Sequence, residues 1–233
     1  MKNIRNEIEN ILRSIPIDFG GGCSVSKATV LAYIIKNQHI KKSIDIGIYR
    51  GRSFFPQAYM HTHYTGGQVY GIDPYKSEEA LEHDHVGLQN EIKDFVNNTD
   101  FDELYTSVNN MRSSLGVKPG SKIIRKTSND AAVSLKRDGE AFGLIHLDGN
   151  HDTVAVINDV NNYLPMLDPN NGFLVLDDIS WNSVKPAVEL VSKTLTLLYA
   201  RVDTQNDYAV FWTGKSKIKK SLLRCRIATA AEG

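Results

Sequence analysis

The sequence predicts an α/β protein: a doubly wound, mostly parallel seven-stranded sheet with a terminal antiparallel hairpin and N-terminal helices. Three observations predict this fold. Short apolar runs such as Phe142–Leu147 and Phe173–Leu176 are bounded by polar turns, which is typical of strands buried on both faces. Segments with helical periodicity separate the first six runs. The last two are joined by the short polar turn Asp203–Asp207, which requires an antiparallel hairpin.

The elements follow one another in a simple order. Isoleucines recur at helical spacing in residues 4–15, and a second helix is predicted over residues 24–36. We expect this N-terminal helical cap, residues 1–40, to cover the sheet or to contact a partner subunit in a homo-oligomer. Strands are then predicted at Ser43–Ile46, Gln68–Ile72, Ser121–Lys126, Phe142–Leu147, Phe173–Leu176, Thr194–Val202 and Tyr208–Thr213.

Residues 41–214 form the α/β domain in this prediction, and two segments stand apart from its strand–helix alternation. The insertion 76–120 is mostly polar and helical around 88–96 and 101–115, and it leaves the ligand edge of the sheet, so we expect a lid or substrate wall. Residues 215–233 form a basic tail with six Lys and Arg residues between Lys215 and Arg226. We expect a solvated tail; contact with a polyanion or a membrane surface is the alternative.

Composition narrows the classes of function. The 27 Lys and Arg residues balance 27 Asp and Glu residues, so the chain has no net positive charge that would attract nucleic acid. Two cysteines fit a reducing compartment, and no apolar run of the sequence reaches the ~20 residues that would span a membrane. The charged N-terminus has no long apolar core, so we expect no signal peptide. We therefore expect a cytoplasmic protein. Two histidines, His61 and His63, end the helix after the first strand and are expected to cap its carbonyls.

Acidic residues follow two consecutive strands. Asp148 and His151 come after the strand Phe142–Leu147, and Asp177 and Asp178 follow the next strand. A strand–helix–strand unit is a right-handed parallel crossover, so both strands end at the edge where open parallel sheets bind ligands. Three carboxylates there suit a hard cation such as Mg²⁺ or Mn²⁺. The competing interpretation is that the acids cap nearby helices.

A glycine turn follows the first predicted strand. In SIDIGIYRGRS, Gly47 and Gly51 can let the backbone approach a ligand, and the following helix N-terminus attracts negative groups, although packing alone also explains such glycines. Asp73 ends the next strand, where an acid can accept both hydroxyls of a ribose. Because the turn lacks G-x-G-x-x-G, a ligand with a ribose but no phosphate fits better than a dinucleotide.

The motifs DIGIYRGRS, YGIDPY, RKTSNDAA, IHLDGNH and LDDISW occur in this order, in register with the predicted strands. Over roughly residues 40–213 the chain resembles the class I S-adenosylmethionine-dependent methyltransferases, with their Rossmann-like fold. More narrowly, it resembles the metal-dependent sugar O-methyltransferases of antibiotic biosynthesis, the macrocin type. The resemblance implies that Gly47, Gly51 and Ser53 line the methionine end of S-adenosylmethionine, that Asp73 holds its ribose, and that Ser128 lies near the adenine. The implied cofactor-binding set is Asp45, Gly47, Tyr49, Gly51, Ser53, Asp73 and Ser128.

The same resemblance assigns Asp148, Asp177 and Asp178 as metal ligands and His151 as the general base, with Asp148 also counted as catalytic. A sugar hydroxyl has a pKa near that of water, about 16. That is roughly nine pKa units above a neutral imidazole, on the order of 12 kcal/mol. A bound Mg²⁺ or Mn²⁺ would lower this difference and orient the oxygen, and the histidine would remove the proton. The implied substrate is a small-molecule or glycan acceptor, a sugar or glycosylated small molecule.

Other functions compete with this one. A catechol-type O-methyltransferase for a phenolic small molecule is the main alternative, because the same metal chemistry serves adjacent phenolic hydroxyls. The string Gly149-Asn150-His151-Asp152 also occurs in metal-dependent phosphoesterases, but those proteins need downstream histidines and all seven histidines lie at or before His151. The intact set of acids and histidine argues against a non-catalytic nucleotide-binding module. Neutral charge and the lack of a base-flipping motif argue against a nucleic-acid methyltransferase.

Overall fold

The computed structural model describes residues 2–17, 22–84, 87–215 and 217–232. Seven strands form one sheet: β1 (Lys42–Ile46), β2 (Gln68–Ile72), β3 (Ser121–Ile124), β4 (Leu144–Leu147), β5 (Phe173–Asp177), β6 (Thr196–Asp203) and β7 (Asn206–Trp212). Their order across the sheet is β3-β2-β1-β4-β5-β7-β6. The first five run parallel, and β7 is antiparallel to both of its neighbours. The predicted doubly wound fold with a terminal antiparallel hairpin is confirmed.

Helices cover both faces of the sheet, which explains why β4 and β5 are apolar at most positions. Alternate side chains of β4 and β5 enter two different cores: Leu144 and Val175 belong to one apolar cluster, and Ile145 and Leu174 belong to the other. The helices outside the insertion are α1 (Lys2–Arg13), α2 (Val25–Asn37), α3 (Phe54–Met60), α6 (Ser128–Arg137), α7 (Thr153–Tyr163), α8 (Lys185–Ser192) and α9 (Lys217–Glu232).

The N-terminal helices pack on one face of the sheet. Ile8 of α1 and Leu31 of α2 are buried in the apolar cluster that also contains Val175 of β5. Ser24 caps the N-terminus of α2, and its hydroxyl accepts a hydrogen bond from the backbone N–H of Lys27 at 3.0 Å. Contact of these helices with a partner subunit stays a prediction. Across the described ranges, none of the helices has both the length and the apolar character needed to cross a bilayer.

The prediction of a solvated basic tail was wrong for residues 217–232, which form α9. Leu223, Ile227 and Ala231 are buried, and their four-residue spacing gives the helix one apolar stripe. The hydroxyl of Ser26 in α2 donates to the carbonyl of Ala231 at 2.7 Å. The basic residues are thus carried by a packed helix.

The insertion contains two helices, α4 (Gln89–Asn98) and α5 (Phe101–Ser114), close to the predicted bounds. The Asp100 carboxylate caps α5 by accepting from two backbone N–H groups of its first turn. One face of each helix is buried, through Ile92 in α4 and Leu104 in α5.

The chain after α3 continues into a π-helical turn, His61–Thr65. His61 is fully buried, with Nε2 2.9 Å from the Ser43 hydroxyl and Nδ1 2.9 Å from the Thr65 hydroxyl. The expectation that His61 caps helix carbonyls was therefore wrong. Its ring links the turn to the first residues of β1.

Candidate active site

The candidate site lies at the carboxyl edge of the parallel strands. Ile46 of β1 pairs with Leu147 of β4, and Leu147 pairs with Leu176 of β5, so these strands end level with one another. The residues that follow line a cavity of about 1420 Å³. Pockets for drug-sized ligands span ~300–1,000 Å³, so this cavity can hold a cofactor together with an acceptor.

Of the two glycines in the predicted turn, only Gly47 lines the cavity. Its φ is +83°, and a Cβ there would overlap the carbonyl oxygen of Asp148, because the ends of β1 and β4 touch at this point. Gly51 also has a positive φ, +88°, and a side chain there would overlap the ring of Phe55. Gly51 is therefore required for packing beneath the site.

Asp45 does not reach the cavity, although the resemblance implies that it binds the cofactor. It is fully buried in β1, where Oδ1 lies 2.5 Å from Nδ1 of His146 and Oδ2 accepts from the Ser53 hydroxyl at 2.8 Å. Burial alone would lower the pKa of His146, but Asp45 and Asp177 outweigh it and raise the pKa to about 10. Ser53 lines the cavity, but its hydroxyl proton is used by Asp45.

Asp73 stands at the cavity as predicted from its place after β2. Its carboxylate accepts from the backbone N–H groups of Tyr49 at 2.9 Å and Tyr75 at 2.8 Å. Burial raises the pKa of Asp73, and these backbone donors oppose the rise. An ionised carboxylate offers about four acceptor sites, and the backbone of Ile48 is a third donor that opposes the rise in the pKa of Asp73, so acceptor capacity remains for a hydroxyl group of a ligand. Ser128, at the start of α6, lines the same cavity.

Backbone strain concentrates around this cavity. Three non-glycine residues that line it have positive φ: Tyr49 (46°), Tyr75 (48°) and Asp178 (51°). In the described part of the chain, the one other non-glycine residue with positive φ is His39. Such conformations cost of order 1–3 kcal/mol each and persist where the surroundings fix them. For the two tyrosines the fixing contact is the Asp73 carboxylate.

The predicted acids are brought together, and a lysine that the sequence did not suggest joins them. The ammonium of Lys27, from α2, donates to Asp177 and lies 3.2 Å from Oδ2 of Asp148. Burial alone would lower the pKa of Lys27, but the two carboxylates outweigh it and hold that pKa well above its usual range. Burial and the charge of Asp148 raise the pKa of Asp177, while Lys27 opposes this shift.

His151 lies between an acid of the insertion and the acids of the sheet edge. Its Nδ1 is 2.7 Å from Oε1 of Glu82, and its Nε2 is 2.8 Å from Asp178 and 3.6 Å from Asp148. The ring also packs against Trp181, with 5.1 Å between centroids. Burial would lower the pKa of His151, but hydrogen bonds to these carboxylates outweigh it and hold the pKa well above its usual range.

Carboxylate oxygens are the ligands that Mg²⁺ and Mn²⁺ prefer. In the described part of the chain, two groups of residues have possible ligand atoms close together. The first group is His146, Asp148 and Asp177, and the second is Asp148, His151 and Asp178. In the first group the ammonium of Lys27 already lies against both carboxylates. In the second, the imidazole of His151 lies against Asp178. The side chains as arranged therefore do not fit a divalent metal at the Asp148–Asp177 position unless Lys27 leaves it.

The insertion supplies one wall of the cavity. Its lining residues are largely apolar. One of them, Phe95, contacts the ring of Tyr49 edge to face, with 5.7 Å between the ring centroids. The start of the insertion is also bonded to the turn after β4: Asn150 donates to the Leu81 carbonyl at 2.9 Å, and Asp84 accepts from Thr153 N–H at 2.8 Å. The lining residues from this segment are Lys76, Glu79, Ala80, Glu82, Leu88, Ile92, Phe95, Phe101 and Leu104.

Comparisons with known proteins agree with this fold. Residues 44–179, more than half of the chain, match the family model described as a methyltransferase domain. No sequence among the curated proteins matches significantly.

Several solved structures have similar folds. The O-methyltransferase TomG from Streptomyces achromogenes, involved in tomaymycin synthesis and solved in complex with SAM, is 12% identical with a TM-score of 0.60, over 91% of this chain and 90% of that chain. An O-methyltransferase from Bacillus cereus in complex with SAH is 14% identical with a TM-score of 0.58, over 91% of each chain. An SAH-bound methyltransferase from Podospora anserina is 15% identical with a TM-score of 0.58, over 93% of this chain and 89% of that chain.

Proposed function

Because the chain belongs to the methyltransferase-domain family, we propose that it is an S-adenosylmethionine-dependent O-methyltransferase acting on a hydroxyl group of a small molecule. One observation carries the proposal. Asp73, with acceptor sites for a ribose, and His151, a candidate proton acceptor, line one cavity that is large enough for two ligands. A site that only bound a nucleoside would have no use for the second group.

Each residue has a proposed task. S-adenosylmethionine, when bound, supplies an electrophilic methyl group on a sulfonium. Asp73 accepts hydrogen bonds from its ribose hydroxyls, and Gly47 allows the backbone to approach it. His151 in its neutral form takes the proton of the acceptor hydroxyl as the new O–C bond forms and the S–C bond breaks. The carboxylate of Asp178 at Nε2 favours the protonated ring, so the ring has to lose that proton before it can act as a base. Glu82 holds Nδ1, so the acceptor hydroxyl has to replace Asp178 at Nε2.

Two classes of acceptor follow from different observations. The pairing of Asp148 and His151 in the macrocin-type motif favours a sugar or glycosylated acceptor, with Mg²⁺ or Mn²⁺ at Asp148, Asp177 and Asp178. The position of Lys27 and the aromatic wall with Phe95 favour a phenolic acceptor instead. A phenol has a pKa of about 10, so proton transfer to imidazole is several kcal/mol easier than from a sugar hydroxyl of pKa about 16.

The cofactor part of the proposal is tested by binding. S-adenosylhomocysteine should bind and raise Tm, and Asp73→Ala should weaken that binding on the order of 100-fold, because hydrogen bonds to an ionised group are lost. Asp138→Ala, at an exposed position at the C-terminal end of α6 and outside the cavity lining, is the matched control and should bind normally. Tight binding of NAD with no response to S-adenosylhomocysteine would refute the assignment.

The acceptor is tested with isotopically labelled S-adenosylmethionine and two panels, phenolic and glycosylated, each with chelator and with added Mg²⁺ or Mn²⁺. Label in phenols irrespective of chelator supports the phenolic class. Label in glycosylated acceptors only when metal is added supports the sugar class. Labelling of neither panel, with S-adenosylhomocysteine bound, would refute both acceptor classes.

A further inference from the structure

Helix α2 holds Lys27 at the acidic cluster, which consists of Asp148, Asp177 and Asp178. Its residue exposure is 7%, and that of Asp177 is 6%. The neighbouring positions of α2, from Ser26 to Ile35, are all buried, so the helix that carries Lys27 is fixed against the sheet. The lysine reaches the cluster from outside the segment that matches the methyltransferase family, since that segment begins at residue 44.

We propose that the ammonium of Lys27 is the resident cation of this site and keeps divalent metals out of the position between Asp148 and Asp177. The proposal deepens the proposed function, on which its catalytic consequence rests. An ammonium has three N–H donors, which suffices to bond both carboxylates. A divalent ion at the same position would meet a like charge only a few ångströms away, so it could bind only after Lys27 had left both partners.

A second contact supports the same conclusion. The remaining gap in the cluster, between Asp148 and Asp178, contains the imidazole of His151. Both gaps among the three carboxylates are thus filled by basic side chains of the chain itself. Removing Lys27 would leave two adjacent carboxylates, one of them buried, without their shared partner, and that is an arrangement in which a hard cation binds.

The test measures metal binding directly. Mn²⁺ binding is followed by electron paramagnetic resonance and titration calorimetry in the full-length chain, Lys27→Met and the control Lys36→Met, which changes a lysine of the same helix outside the cavity lining. We expect weak binding in the unsubstituted chain and in Lys36→Met. Lys27→Met, which keeps the side-chain length and removes the charge, should bind Mn²⁺ on the order of 100-fold more tightly.

Stability gives a second readout. Lys27→Met should have a lower Tm than the unsubstituted chain, and Mn²⁺ should raise the Tm of this variant alone. If Lys27→Met does not fold, Lys27→Gln replaces it in the same measurements, while Lys27→Arg, which keeps the positive charge, should not gain Mn²⁺ affinity. Tight Mn²⁺ binding by the unsubstituted chain, or no gain in both Lys27→Met and Lys27→Gln, would overturn the proposal.

Activity separates this proposal from the proposed function. If both hold, methyl transfer by the unsubstituted chain continues in excess chelator. Failure of the function would appear as no S-adenosylhomocysteine binding and no methyl transfer, while the gain of Mn²⁺ affinity in Lys27→Met would still support the resident cation. Methyl transfer that chelator abolishes and Mn²⁺ restores would overturn the resident cation and leave the methyltransferase intact.

Discussion

His61 should make the stability of the fold depend on pH in a defined direction. Burial, assisted by the charge of Lys41, lowers the pKa of His61 from 6.5 to about 4. The unfolded chain therefore takes up a proton below pH 6.5, whereas the folded protein keeps a neutral imidazole bonded to the Ser43 and Thr65 hydroxyls. Its stabilising contribution is complete above pH 6.5 and is lost as pH falls towards 4.

The magnitude follows from the two pKa values. Between pH 7 and pH 5 the proton-uptake difference lowers the free energy of unfolding by about 2 kcal/mol, and the total approaches roughly 3 kcal/mol at pH 4 and below. Other buried acids titrate in this range, so the wild-type pH dependence alone is not diagnostic. The informative quantity is the change in the free energy of unfolding between pH 7 and pH 5 in wild type minus the same change in His61→Gln, whose side chain does not titrate.

Urea unfolding followed by circular dichroism at pH 7 and pH 5 measures this quantity. His63→Gln is the matched control, because His63 lies two residues away and is exposed. From pH 7 to pH 5, the free energy of unfolding should fall by about 2 kcal/mol more in wild type and in His63→Gln than in His61→Gln. If the free energy of unfolding changes equally between the two pH values in all three proteins, His61 is not held neutral by burial.

Three further predictions concern the cavity. Asp159 in α7 is buried and lines the cavity, and burial raises its pKa to about 6. It is therefore ionised and destabilising at pH 7.5, so Asp159→Asn should raise the free energy of unfolding by up to about 3 kcal/mol in urea titrations. A loss of stability would contradict this. His151→Gln should lower kcat by ~10²–10⁴ with S-adenosylhomocysteine affinity unchanged, and an equal loss of affinity would instead indicate a structural role. Glu82→Gln should lower kcat about 10-fold, since a neutral amide orients His151 less strongly, and an unchanged kcat would mean that Glu82 does not position the base.

Much of the architecture follows from local sequence. Buried parallel strands are continuous apolar runs, and the fixed hand of their crossovers places Asp148 and Asp177 at one edge. These features need only residues close together in sequence. The C-terminal helix was missed although Leu223, Ile227 and Ala231 have helical spacing, because the run of lysines suggested solvation and no local signal shows that α2 offers a face to cover.

The errors within the site have a common physical origin. Asp45 was assigned to the cofactor from its place in the motif, but it pairs in register with His146 on the neighbouring strand, and the two side chains meet inside the core. An acid among the buried positions of β1 and a histidine inside the apolar run of β4 were a signal for such a pair. Lys27 gave a weaker signal, a lysine among the otherwise mostly apolar residues of α2, and its partner Asp148 is 121 residues away.

Charge compensation explains why the site extends beyond the part of the chain that matches the family. The sheet edge contributes acids, whereas the basic groups against them come from separate elements: Lys27 from α2, His146 from β4 and His151 from the turn after β4. Glu82 from the insertion then fixes the imidazole of His151. A fragment limited to residues 44–179 would keep His151 and Glu82 but would lack Lys27, so the buried carboxylate of Asp177 would lose its ionic partner. Removing one member of a buried ion pair costs about 3–5 kcal/mol, a large part of the stability of a small domain. The N-terminal helix is therefore part of the site electrostatically, and its lysine and the metal question have to be tested in the full chain.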